Sequence, residues 1–395
     1  MSTRFAHAPA IAERRFVSRL GLVALAIGLV ALPGAAQQTE VEDLAAFLKE
    51  RVESVGAPGV AAAVFDSAGL RAYGAAGARK SDDDTPVERG DLWHIGSITK
   101  SFTATLAARY VERGGLEWDA ALGDLLPVPF GESVFSEVTL TQLLSHRSGL
   151  VANLPMRDFA RFRTSKEPLR DQRRDALGVL SATEPVSAPG ETFLYSNAGF
   201  ITAGAALESL ADRDWESLVR REIFLPLGLT SAGFGAPGAD NPGEVTQPRG
   251  HLSQDGKKMA PVIPGPFGDN LAMLGPAGTV HMSISDLGRW GMEHLRGELG
   301  AGTLLETETF QRLHRSQGDN YAYGWVDDEP EWVHGRHTIW HNGSNTMWYA
   351  LVAFVPDDDI GLAVATNGSI QSSSFVHEVV TALFDRFHDD EGGEE

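Results

Sequence analysis

Apolar positions along this chain recur with two different periods, and the switches between them divide it. Between Val41 and Val55, Leu44, Leu48, Val52 and Val55 form one helical stripe with Phe47 beside it, since three- and four-residue spacing repeats one helix face. Two strand-like runs follow, Gly59 to Phe65 and Leu70 to Ala76, joined by the turn formers Asp66-Ser67-Ala68-Gly69. Phe102, Leu106, Ala107 and Tyr110 restore the helical period. From about 114 to 274 the pattern is mainly helical, most clearly at Thr139 to Leu144, Arg173 to Leu180 and Phe200 to Leu210. Within it, 231–270 is rich in turn formers, with Pro237, Pro242, Pro248, Pro261, Pro264 and Pro266. So long a loop in a compact domain is either disordered or the rim of a site. Ser283-Ile284-Ser285-Asp286 offers a capping start to a helix reaching about Leu295. Strand character then returns at Tyr321 to Trp325, Arg336 to His341, Met347 to Val355 and Ile360 to Asn367, before a closing helix from Ser374 to about Phe387.

Strands at both chain ends with a helical block between them predict an α+β fold. One antiparallel β-sheet is built from both termini and flanked by helices, with an all-helical insertion at about 114–274. A cleft is expected where the two regions meet.

Composition removes several possibilities. The formal charge of -20 argues against nucleic acid or an anionic membrane as partner. With no cysteine, disulfides, thiol nucleophiles and cysteine-ligated zinc are excluded. Residues 1–36 read as a signal peptide: Arg4, Arg14, Arg15 and Arg19, an apolar run from Leu20 to Leu32, then small residues around Ala35-Ala36. That run is shorter than the ~18–20 residues that span a bilayer. The expected product is therefore a periplasmic or secreted domain, 37–388, with no stable membrane anchor and an acidic disordered tail at 389–395.

Candidate chemistry starts at Gly96-Ser97-Ile98-Thr99-Lys100, just ahead of the Phe102 to Tyr110 helical pattern. Residues three apart share a helix face, roughly 5–6 Å between Cβ atoms. The Lys100 amine therefore reaches the Ser97 hydroxyl and can act as its base if burial lowers its pKa. None of Lys49, Lys80, Lys166, Lys257 and Lys258 has serine three residues before it. A second constellation, Tyr195-Ser196-Asn197, lies on a turn before a helix; Tyr195 offers a general base or acid, and Asn197 a donor to a substrate carbonyl. The third, His341-Asn342-Gly343-Ser344, ends a strand pattern. Gly343 permits close approach of substrate, His341 is a donor or cation, and the Ser344 N–H can pair with that of Ser97 as an oxyanion hole. Taken singly, each also reads as ordinary structure: a solvated helix face, a core tyrosine with an asparagine cap, a strand-end Asn-Gly turn.

Together the three motifs resemble the serine β-lactamase and penicillin-binding superfamily, in the branch containing class C β-lactamases, D-aminopeptidases and family VIII carboxylesterases. Leu143 to Leu150, Pro226-Leu227-Gly228-Leu229 and Gly278 to Trp290 are similar to it as well. The resemblance implies that Ser97 is acylated, Lys100 and Tyr195 relay its proton, the Ser97 and Ser344 amides hold the oxyanion, and Tyr195 activates water for deacylation. It implies no cofactor, and a small-molecule ester, amide or peptide substrate. Class C β-lactamases carry lysine where this chain has His341, which points to an esterase or D-peptidase rather than a lactamase. If the substrate is anionic, activity should fall as His341 loses its charge above about pH 6–7.

Other readings are weaker. His334, His337 and His341 have metal-like spacing but lack an obvious further ligand, so no metal site is assigned. His94 and His146 read as structural groups; Trp325, Trp340 and Trp348 fit an acyl pocket or the core equally well. The chain has neither a Gly-x-Ser-x-Gly elbow nor a His-Glu-x-x-His motif. A class C-like β-lactamase and a non-hydrolytic binding or sensor protein are the alternatives.

Overall fold

The computed structural model describes residues 41–389 except Gly56 and 254–258; the expected signal peptide and residues 390–395 of the expected tail lie outside them. The strand Gly59–Phe65 is buried along its whole length. Side chains alternate across a strand, so Ala61, Ala63 and Phe65 enter one apolar core while Val60, Ala62 and Val64 enter another. Tyr349–Val355 and Ile360–Thr366 divide between the same two cores. Burial on both faces explains why these segments read as continuous apolar runs.

Across the main sheet the order is Glu42–Asp43, Leu70–Lys80, Gly59–Phe65, Ile360–Thr366, Tyr349–Val355, Thr338–Ser344 and Val326–Asp328, with Asp83–Pro86 paired to Leu70–Lys80. The first pair is parallel and the others antiparallel. Gly59–Phe65 pairs directly with Ile360–Thr366, from Phe65 opposite Gly361 to Val60 opposite Thr366, so both chain ends build one sheet, as the pattern predicts. Helices Ala45–Val55 and Ser373–Asp389 cover one face. Ile284–Glu298 packs on the other, alongside the helical block.

Three expectations need correction. Tyr321 to Trp325 is not a strand: Gly324 sits at φ +77° and turns the chain, and the strand is Val326–Asp328. Leu92–His94, Val280–Ser283 and Gly233–Phe234 form a small second sheet, too short to register as alternation. The 231–270 stretch also holds the paired strands His251–Ser253 and Met259–Pro261, so the insertion is not all helical. Its described residues are tied to the body: Arg249 N–H donates to Arg79 O at 2.8 Å and His251 N–H to Met347 O at 3.0 Å. The rim reading fits them.

Candidate active site

Ser97 lies on the 3-10 turn Gly96–Ile98, which runs straight into the helix Thr99–Glu112. This helix is fixed from behind: Phe102 stacks on Trp290 at 3.9 Å between ring centroids, and Trp290 Nε1 donates to Ser101 Oγ at 2.9 Å. Two glycines bring the turn against the strand Thr338–Ser344. Gly96 has φ +50°, and a Cβ there would lie 2.2 Å from Ser344 N; a Cβ on Gly343 would lie 1.8 Å from Ile95 O. Only glycine at both positions lets the backbones of Ser97 and Ser344 approach this closely.

Lys100 is fully buried. Its Nζ lies 3.0 Å from Ser97 Oγ, 2.7 Å from Asn197 Oδ1 and 2.8 Å from Ala277 O. With no carboxylate among these partners, burial holds the amine well below the usual lysine range. A neutral amine has two N–H groups and one lone pair. Ala277 O and Asn197 Oδ1 can only accept, so they take both N–H groups, and the lone pair faces the one partner able to donate, the Ser97 hydroxyl. That is the arrangement of a base aimed at a nucleophile.

The Tyr195 phenol lies close enough to interact with the Ser97 hydroxyl, and burial raises it above the usual range. The resting Tyr195 is therefore a protonated relay rather than a phenolate. Lys100 Nζ lies 4.7 Å from its ring centroid. Ser196 caps the helix Asn197–Ala211 by accepting from Gly199 N–H, matching the predicted turn before a helix. Asn197 Nδ2 donates to Asn153 Oδ1 at 2.8 Å, so Asn197 holds Lys100 and directs only its remaining amide N–H elsewhere. His146 supports this turn, its Nδ1 accepting from Ser196 N–H at 3.0 Å and its ring 4.2 Å from that of Tyr195.

His341 differs from its expected character. It is buried, and desolvation together with nearby Lys100 pushes its pKa down to about 3. Its Nδ1–H donates to Asn342 O, leaving Nε2 to accept from the Tyr321 hydroxyl at 3.1 Å. The ring is thus neutral with both nitrogens engaged, neither a cation nor a free donor. Tyr321 is a site residue that sequence reasoning missed; it is buried, and its ring lies 6.1 Å from that of Tyr195. Only the fold reveals it, because it comes from the turn misread as a strand.

The remaining candidates separate. His334 pairs with Asp385 at 2.6 Å and His337 with Asp327 at 2.7 Å, both away from His341. No cluster of metal-ligating side chains occurs among the described residues. Trp325 and Trp348 are core residues, and Trp340 packs edge-on against Trp332.

Comparison with known proteins gives the family and the fold. Penicillin-binding protein 4 of Amycolatopsis lactamdurans is 27% identical over 330 residues, 80% of this chain and 83% of that protein. An unguisins hydrolase of Aspergillus campestris is 25% identical over 354 residues; the match covers 84% of this chain but 62% of the relative's length. An octameric penicillin-binding protein homologue from Pyrococcus abyssi has the same fold, with a TM-score of 0.69 at 21% identity over 86% of this chain and 76% of that one. A family model described as Beta-lactamase matches residues 44–381. With its serine, lysine and tyrosine joined at the meeting of sheet and helical block, the chain belongs to the β-lactamase family of serine hydrolase-type proteins.

Proposed function

We propose that the protein is an exported hydrolase that cleaves esters or amides of small substrates uncharged near the scissile carbonyl, through a Ser97 acyl-enzyme. The observation carrying this reading is the Ser97 hydroxyl 3.0 Å from the buried Lys100 amine, with the Tyr195 phenol beside it. Lys100 takes the Ser97 proton as Oγ attacks the carbonyl, and the N–H groups of Ser97 and Ser344 receive the oxyanion. Tyr195 protonates the leaving oxygen or nitrogen and regains a proton from the Lys100 ammonium. Water then repeats the sequence on the acyl-enzyme, releasing an acid and restoring Ser97. Export rests on the arginines and apolar run of residues 1–36.

The neutral His341 favours uncharged substrates over penicillins and cephalosporins. A carboxylate beside a buried, uncharged imidazole would lose its hydration without gaining an ion pair. A fluorophosphonate should label the mature protein, and Ser97→Ala should abolish both labelling and turnover, by at least about 10³-fold. In parallel, short-chain nitrophenyl esters and N-acetylated D-amino-acid amides, uncharged near the scissile carbonyl, should be cleaved faster than a chromogenic cephalosporin. Absence of labelling, or rapid cephalosporin turnover with esters inert, would overturn the reading.

A further inference from the structure

One largely buried carboxylate contacts a side chain on each side of the oxyanion hole. Asp269, at the end of the proline-rich rim stretch, lies with its Oδ1 3.0 Å from His94 Nε2 and accepts from Asn345 Nδ2 at 3.0 Å. Its own turn adds a third donor, the Asn270 N–H at 2.7 Å. On one side His94 is fully buried, and its Nδ1 accepts from the Gly96 N–H at 3.1 Å. Since Nδ1 accepts, the ring proton sits on Nε2, the nitrogen that lies against the carboxylate in a close polar contact without the alignment of a full hydrogen bond. Gly96 directly precedes Ser97. On the other side Asn345, also buried, directly follows Ser344, and its Oδ1 accepts from Met347 and Trp348 N–H at 3.2 Å. Burial opposes ionisation of Asp269, but His94 and Asn345 hold its carboxyl below the usual range.

We infer that Asp269 is a positioning residue that sets the spacing of the Ser97 and Ser344 N–H groups, through His94 on one arm and Asn345 on the other. It touches neither substrate nor the reacting atoms. The two oxyanion donors come from chain segments nearly two hundred and fifty residues apart, so their spacing is a tertiary property needing a cross-brace. An ionised carboxylate supplies one: the Asn345 bond to it is charge-assisted, roughly twice as strong as a neutral one, and the His94 ring lies 3.0 Å from the same oxygen. The same residue reaches outward. Arg163, at the end of the helix Met156–Arg163, donates to the Asp269 carbonyl at 3.1 Å and to Pro266 O. Asp269 thereby connects the rim to the oxyanion hole, beside the His251–Met347 backbone bond, which gives the described residues of the 231–270 stretch a catalytic role.

This inference rests on the serine-hydrolase reading, and its test keeps the two apart. Fluorophosphonate titration counts competent sites, so turnover is expressed per titrated Ser97. Asp269→Asn keeps the shape and removes the charge, and kcat per site should fall about 10-fold with KM nearly unchanged; loss of a whole oxyanion donor lowers kcat about 10²–10³-fold. Affinity for a boronic acid, which mimics the tetrahedral species, should fall by the same factor. Asn345→Ala breaks the second arm and should act alike, which covers the case in which Asp269→Asn fails to fold. A purely structural brace would lower the number of titratable sites and the melting temperature but leave kcat per site and boronate affinity intact. That result in both variants overturns the inference, whereas failure of the wild type to be labelled overturns the hydrolase reading itself.

Discussion

The two ends of the helix Asn197–Ala211 bury polar groups in opposite ways, roughly 16 Å apart at 1.5 Å per residue. Near its C-terminal end Glu208 grips the fully buried Arg173, which also binds Glu216: Arg173 Nη2 lies 2.5 Å from Glu208 Oε1 and 2.8 Å from Glu216 Oε2. Although burial opposes the charge, these two carboxylates hold the guanidinium firmly protonated. At the N-terminal end Asn197 faces Lys100, equally buried, with neutral acceptors only. A fully paired charge is rigid and chemically inert; an amine denied a counter-ion becomes a base. Burial alone therefore does not mark a functional group. What marks it is the company kept, a carboxylate in one case and a hydroxyl that can give up its proton in the other.

Replacing each basic residue with a hydrophobic residue of similar length should separate the two centres. Lys100→Met removes the base, and kcat per folded molecule should fall about 10²–10⁴-fold. The melting temperature should hold or rise, because no buried charge is left without a partner and a desolvated amine is gone. Turnover beside thermal unfolding measures both. A large loss of stability would mean that Lys100 is structural and resembles Arg173 after all.

Arg173→Met should do the reverse. It strands Glu208 and Glu216 in the interior, and removing one member of a buried ionic cluster costs about 3–5 kcal/mol. Urea unfolding should register that loss. For the folded fraction, kcat per titrated site should stay within about two-fold of wild type, as expected of a distant site. If turnover per site collapses as well, the triad is coupled to the catalytic centre through Gly275 and the short helix Gly275–Gly278, whose Ala277 carbonyl holds Lys100.

The same contrast governs what could be read in advance. Ser97 and Lys100 were legible because they sit one helical turn apart, and Tyr195 to Asn197 because a turn and a cap announce a helix. The sheet built from both ends was legible because its buried strands are continuous apolar runs. Tyr321 and Asp269 were not. Both reach the site from irregular chain, where neither period two nor period 3.6 constrains a side chain, and their partners are distant in sequence. The charge state of His341 was equally hidden: a motif gives the residue, while its pKa is set by the burial and by Lys100, which only the fold brings near. Likewise Arg173 carried no signal in an amphipathic helix, where a solvated arginine is the ordinary reading.

The smallest effect expected is a pH dependence, and it tests whether His341 belongs with the neutral group. Its folded pKa of about 3 lies below the ~6.5 of an unfolded histidine. Between these values the unfolded chain binds the extra proton, so stability is lost as pH falls below about 6.5 and regained as it rises. At pH 5 the loss from this one group is about 2 kcal/mol, at 1.36 kcal/mol per pH unit. His146 and His294, also pushed down by burial, act with the same sign. In His341→Gln the urea-unfolding free energy should therefore vary less steeply between pH 4 and 6 than in wild type. Catalysis should behave differently. As Lys100 gains a proton at low pH, kcat/KM should fall on the acid side in both proteins, and neither should show a decline between pH 6 and 8. If wild type loses activity as pH rises through 6–7 and His341→Gln does not, the imidazole is a working cation. The active centre would then hold a charge unpaired by any carboxylate, and its contrast with the Arg173 triad would need a different explanation.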